Sequence, residues 1–103
     1  MLTINFEFRK GIFFIRLIGD LNKYTTNEAN KIIKILDENK FKYVVINTNE
    51  LETIDITGII YLVNLYHLTK NNQSSLIICD KFKIIRDLIN KNIPNIDNEL
   101  EVL

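Results

Sequence analysis

Hydrophobic and polar positions alternate at the start of the chain. Leu2, Ile4, Phe6 and Phe8 interleave with Thr3, Asn5 and Glu7. That period of two predicts a strand with one buried face. Arg9-Lys10-Gly11 breaks the alternation, and "IFFIRLI" follows as a second β-rich run. A short glycine-containing connection between two such runs predicts a β-hairpin. The pattern then changes period. In "GDLNKYTTNEANKIIKILDENKF", Ala29, Ile32, Ile33 and Leu36 have the i, i+3, i+4, i+7 spacing of one helix face. Thr25 or Thr26 is placed to cap that helix.

The second half repeats the alternation of strand and helix. "YVVIN", Tyr43 to Asn47, is short, β-branched and apolar, the pattern of a strand buried on both faces of a helix-covered sheet. "TNELETID" is polar and reads as a loop. From Gly58, the residues Ile59, Leu62, Val63 and Tyr66 share a helical face, which "NNQSS" terminates. "LIIC" is another short strand. "DKFKIIRDLINKN" predicts a third helix, with Phe82, Ile85, Leu88 and Ile89 on one face and Asp80 as its cap. Pro94 stops it, and "ELEVL" ends the chain as a last short strand. The predicted order is ββαβαβαβ. It is an α/β fold with a mixed, mostly parallel sheet and helices packed on it. No linker or repeat divides the chain, so residues 1–103 read as a single domain.

Composition narrows the function. Hydrophobic residues are 47% and charged residues 25% of the 103, and 13 basic against 13 acidic side chains leave a formal net charge of +0. A nucleic-acid binder carries a basic excess, so no direct nucleic-acid contact is expected. The basic residues Lys81, Lys83 and Arg86 fall largely off the apolar face of the third helix and read as solvated surface. The longest apolar runs fall far short of the ~20 residues that span a bilayer. The first residues lack the pattern of a signal peptide. A cytoplasmic protein is the expectation.

The inventory for catalysis is thin. Cys79, the one cysteine, sits in "SLIICD" and reads as a small core hydrophobe. His67 is the one histidine. Together they cannot supply a zinc site. There is no Walker loop and no GxGxxG motif. Asp97 and Glu99 form a carboxylate pair in a polar tail, with no desolvated pocket implied. No enzyme, metal or cofactor is expected. The one polar interruption that suggests function is Asp55-Ile56-Thr57-Gly58, after the third strand and at the head of a helix. In α/β sheets function gathers in loops at the carboxyl ends of the strands. First-turn amides lack intrahelical partners and favour negative charge, so a phosphoryl group on Thr57 would be well placed. The plainer reading is a helix start, with Asp55 or Thr57 as cap and Gly58 supplying backbone freedom.

Three stretches, in order along most of the chain, resemble the STAS domain of the anti-sigma factor antagonist family. "FFIRLIGDLNKYT" (Phe13–Thr25) is similar to that family's strand followed by G-[ED]-L-D-x-x-[TS]. "YVVINTNELETIDITGI" (Tyr43–Ile59) is similar to its third strand and D-S-S-G motif. "SLIICDKFKIIRDLI" (Ser75–Ile89) is similar to its fourth strand and following helix. The resemblance implies a binding switch that docks on a kinase-type anti-sigma factor. It implies release when the second hydroxyl of the motif, here Thr57, is phosphorylated. It also implies a partner surface of Asp55, Ile56, Gly58, Ile59, Asn22, Tyr24 and Thr25.

The chain departs from the family at four places. Asn22 stands where Asp is usual. Ile56 replaces the first serine of the motif. Gln73-Ser74 replaces a glycine pair. The chain ends at Leu103, where the family usually continues into a fourth helix. That truncation is expected to leave one sheet face less covered, with apolar surface for a partner or a second copy. The other reading the family allows is a non-enzymatic scaffold or regulatory subunit, in a stress-signalling assembly or on a lipid transporter, with Thr57 as a contact residue.

Overall fold

The computed structural model describes residues 1–96 and 100–103. Asp97 and Glu99, the carboxylate pair and the first residue of the predicted last strand, lie outside the described residues. The elements are β1 (Leu2–Arg9), β2 (Ile12–Leu21), α1 (Thr26–Glu38), β3 (Tyr43–Ile54), α2 (Ile56–Asn71), β4 (Ser75–Cys79), α3 (Ile84–Asn92) and β5 (Glu101–Val102). This is the predicted ββαβαβαβ order.

The sheet order is β1-β2-β3-β4-β5. β1 pairs antiparallel with β2, and every later neighbour is parallel. Lys10 and Gly11 form the two-residue hairpin turn, both at positive φ (52° and 81°). Those angles suit the primed turns whose twist matches the strands. The three parallel crossovers all step the same way along the sheet. Crossovers of one hand that step in one direction place their helices on one face. The core is accordingly one layer thick. Phe13, Ile15, Leu17, Val44, Ile46, Leu76 and Ile78 of the sheet meet Ala29, Ile32, Leu36, Ile59, Leu62, Leu65, Ile85 and Ile89 of the helices.

That topology corrects the expectation of a sheet covered on both faces. Val44 and Ile46 are fully buried, but Tyr43, Val45 and Asn47 face the uncovered side and are half-buried. Cys79 stands on that side too and is likewise half-buried rather than in the core.

Other corrections are local. Thr48–Ile54 is strand rather than loop, because β3 continues past a register shift and pairs Glu50 with Ile18, and Ile54 with Leu21. The inward face of β1 is buried only near its start. β1 is an edge strand of the sheet, and Phe6 and Phe8 are 40% and 60% exposed, resting on Phe13 and Phe41. Phe82 lies outside α3 and is 62% exposed, because Lys83 adopts a left-handed conformation (φ 59°) and the helix begins only after it. Asp80 does cap α3, accepting from the Ile84 and Arg86 amides at 3.1 Å each. Among the described residues no helix is long and apolar enough to cross a membrane.

Candidate functional site

The carboxyl ends of β2 and β3 lie side by side, and both chains turn there into helical segments. Asp55 joins them. Its backbone amide donates to the Leu21 carbonyl at 3.3 Å. Its carboxylate accepts from the Gly58 amide at 3.0 Å and from the Lys23 amide at 3.3 Å. One side chain thus caps α2, satisfying a first-turn amide, and ties the loop after β2 to the start of that helix. Asp55→Ala is expected to cost about 1–2 kcal/mol of stability through the lost cap and the orphaned amides. Asp55→Asn should restore the cap but not the tether, since its single side-chain oxygen can answer the Gly58 amide while its NH2 group would face the Lys23 amide. Urea unfolding of the two variants checks this; an unchanged midpoint for Asp55→Ala would contradict the tether.

Gly58 is buried and helical, and its lack of a side chain matters for space rather than backbone freedom. A Cβ there would lie 2.4 Å from the Leu21 carbonyl oxygen and 2.9 Å from Ile54 Cγ1. The close approach brings the first turn of α2 onto the end of β2. Thr57 occupies the second position of that helix and is half-exposed. Among the described residues its hydroxyl has no hydrogen-bond partner. Asp55, not Thr57, does the capping, which leaves the hydroxyl free.

The loop opposite is stiff. Thr25 is only 5% exposed; its hydroxyl donates to the Asp20 carbonyl at 2.8 Å and accepts from the Asn22 amide at 2.9 Å. That internal duty is why Thr25, although at the N-cap position of α1, makes no side-chain cap. Asn22 accepts from the Tyr24 amide at 2.9 Å through its side-chain oxygen. An aspartate could accept the same bond, so asparagine preserves this turn. Beneath the loop, Asp20 accepts from the Thr53 hydroxyl at 2.6 Å and from the N-terminal ammonium at 3.1 Å. The Thr53 bond first, and then the ammonium, hold its carboxyl below the usual carboxylate range.

The eight residues expected at the site therefore divide by exposure. Tyr24 (79%) and Ile56 (47%) project into solvent. Thr57, Asp55 and Asn22 are partly exposed. Gly58, Ile59 and Thr25 are buried and act by holding the site's shape. Sequence reasoning missed two participants. Ile60 is 47% exposed and lies one turn beyond Ile56 on the same side of α2. Lys23 contributes the amide that reaches Asp55. Ile60 was legible in principle, since it falls off the Ile59–Leu62–Val63–Tyr66 face. The assembled surface is a hydroxyl at a helix N-terminus beside the apolar Ile56 and Ile60, tied to the loop that carries Tyr24. It can take a phosphoryl group or a partner's apolar side chains. Nothing in it resembles a general base, a nucleophile relay or a metal cage.

The STAS domain family model matches residues 3–92. An anti-sigma F factor antagonist from Paenibacillus polymyxa is 22% identical over 99% of this chain and 92% of its own length. Among solved structures, an anti-sigma factor antagonist from Mycobacterium paratuberculosis superposes with a TM-score of 0.81, at 15% identity, covering 99% of this chain and 85% of that one. The anti-sigma factor antagonist SpoIIAA in its unphosphorylated form superposes with a TM-score of 0.75, at 14% identity, covering 98% and 87%.

Proposed function

The chain belongs to the STAS domain family, and we propose that it is a non-enzymatic binding switch that docks on a kinase-type anti-sigma factor. Phosphorylation of Thr57 by that kinase ends the contact. The observation that carries this reading is the free Thr57 hydroxyl at the head of α2, flanked by exposed Ile56 and tied through Asp55 to the loop of Tyr24. The names of the similar antagonists support it. In this reading residues 1–103 work as one STAS-like domain in the cytoplasm, without cofactor or metal.

The contact surface follows from exposure. Tyr24, Ile56 and Ile60 offer apolar side chains to the partner, while buried Gly58, Ile59 and Thr25 keep them in place. Where the motif's family pattern has a hydroxyl, Ile56 adds apolar area, so the partner is expected to present an apolar pocket there. Burying a side chain of this size contributes about 1.5–3 kcal/mol. Titration of the cognate anti-sigma kinase by calorimetry tests the surface. Ile60→Glu is expected to weaken binding at least tenfold, which is about 1.4 kcal/mol. Phe8→Gln, at the opposite end of the strands and also exposed, should leave binding unchanged. Equal affinity for both variants and the parent chain would remove this surface from the interface.

A further inference from the structure

The uncovered face of the sheet carries a pattern that its surroundings do not explain. Parallel strands with continuous apolar runs belong to sheets covered on both faces, whereas a sheet with one wet face alternates apolar and polar residues. Here the middle of β2, β3 and β4 is apolar on both faces, although the helices cover only one. Phe14, Val45 and Ile77 run across the middle of the open face, all half-buried, in adjacent register (Phe14 with Val45, Val45 with Ile77). Polar side chains frame them, as a rim frames an apolar interface centre.

We propose that this face is where two copies of the chain meet, sheet against sheet. The rim's charge selects a second copy over a partner of one dominant sign. Glu7 lies 3.1 Å from Arg9, and Arg16 lies 3.4 Å from Glu50, all of them half-exposed or more. Both signs therefore stand beside the apolar centre. In a two-fold interface the same patch meets itself, so an acid of one copy can answer a base of the other. The chain's net charge of +0 adds no long-range repulsion between copies.

The size of the molecule permits such a contact: its extents are 32 × 30 × 22 Å, a breadth comparable to the about 800 Å² per partner of a standard interface. Two sheets packed this way sit ~10 Å apart with strands within about 30° of each other. The helices lie on the far side, so the Thr57 surfaces of both copies stay open and one dimer presents two of them.

Sedimentation equilibrium of the full chain tests the pairing. The expected species at about 100 μM has twice the mass of one chain, a concentration well above the micromolar range where interfaces of this size associate. Val45→Lys sets two ammonium groups near the dimer axis and should weaken association by about a hundredfold or more. Phe14→Gln, a milder change on the same face, should shift the equilibrium the same way if Val45→Lys fails to fold, with circular dichroism reporting the fold of each. A parent chain of single mass at that concentration overturns the proposal. So does a folded Phe14→Gln or Val45→Lys chain that dimerises as tightly as the parent, which would place the contact elsewhere, such as on the β1 edge.

Discussion

Gly58→Ala is expected to destabilise the protein by about 2 kcal/mol, the usual scale for forcing an extra methyl into a packed site. The opposing effect is real but smaller. Alanine is the better helix former by about 1 kcal/mol at an open interior position. At this position the new Cβ meets the Leu21 carbonyl oxygen at 2.4 Å and the Leu21 carbonyl carbon at 3.1 Å. These are backbone atoms and cannot rotate away. The same oxygen accepts the Asp55 amide at 3.3 Å, so drawing α2 back lengthens the bond that closes the site. Steric cost therefore outweighs helix propensity. At about 4–8 °C per kcal/mol for a domain of this size, Tm should fall by roughly 10 °C. A thermal melt with Tm unchanged or raised would mean that α2 does not approach β2 so closely. The substitution also displaces the first turn of α2, so partner binding should weaken along with stability.

Thr57→Glu is expected to weaken binding to the anti-sigma kinase by roughly a hundredfold, about 3 kcal/mol. The carboxylate would stand within two residues of the Asp55 carboxylate, whose oxygens already accept the Gly58 and Lys23 amides. No basic side chain among the described residues is paired with Asp55 to absorb the added charge. In the proposed complex, docking would bury that charge against the apolar side chains expected to meet Ile56 and Ile60. A phosphate, with −1.5 to −2 charge, should act in the same direction and more strongly. Thr57→Val keeps the shape without the hydroxyl and should bind almost as tightly as the parent. Comparable affinity for Thr57→Glu and Thr57→Val would show that charge at this position does not govern release.

Much of the fold was legible because local periodicity and topology agree. The Leu2–Arg9 strand, the Lys10-Gly11 turn and the Ala29–Leu36 helix face each stand in the structure where their spacing puts them, though the predicted buried face of that strand is buried only near its start. The misreadings share a cause, which is that cover is decided by distant parts of the chain. "YVVIN" is apolar on both sides, but which side is packed depends on crossovers that all step one way. "TNELETI" is polar, yet β2 extends alongside it and pairs it into the sheet. Phe82 keeps helical spacing, yet the left-handed Lys83 excludes it from α3.

The site shows the same division. Asp55 could be read from D-x-T-G as one of two candidate caps, with Thr57 the other. The burial of Thr25 could not be read, because its partner is the Asp20 carbonyl at the end of β2. Nor could the steric role of Gly58, because the atom it must avoid belongs to Leu21, far back in the chain.

The most direct test of the switch is the intact mass of the chain after incubation with its cognate kinase and ATP. One added phosphate on the parent chain, and none on Thr57→Ala that still binds the kinase, is the predicted result. A phosphate on Thr57→Ala, or an unmodified parent chain in a stable complex with the active kinase, would contradict it.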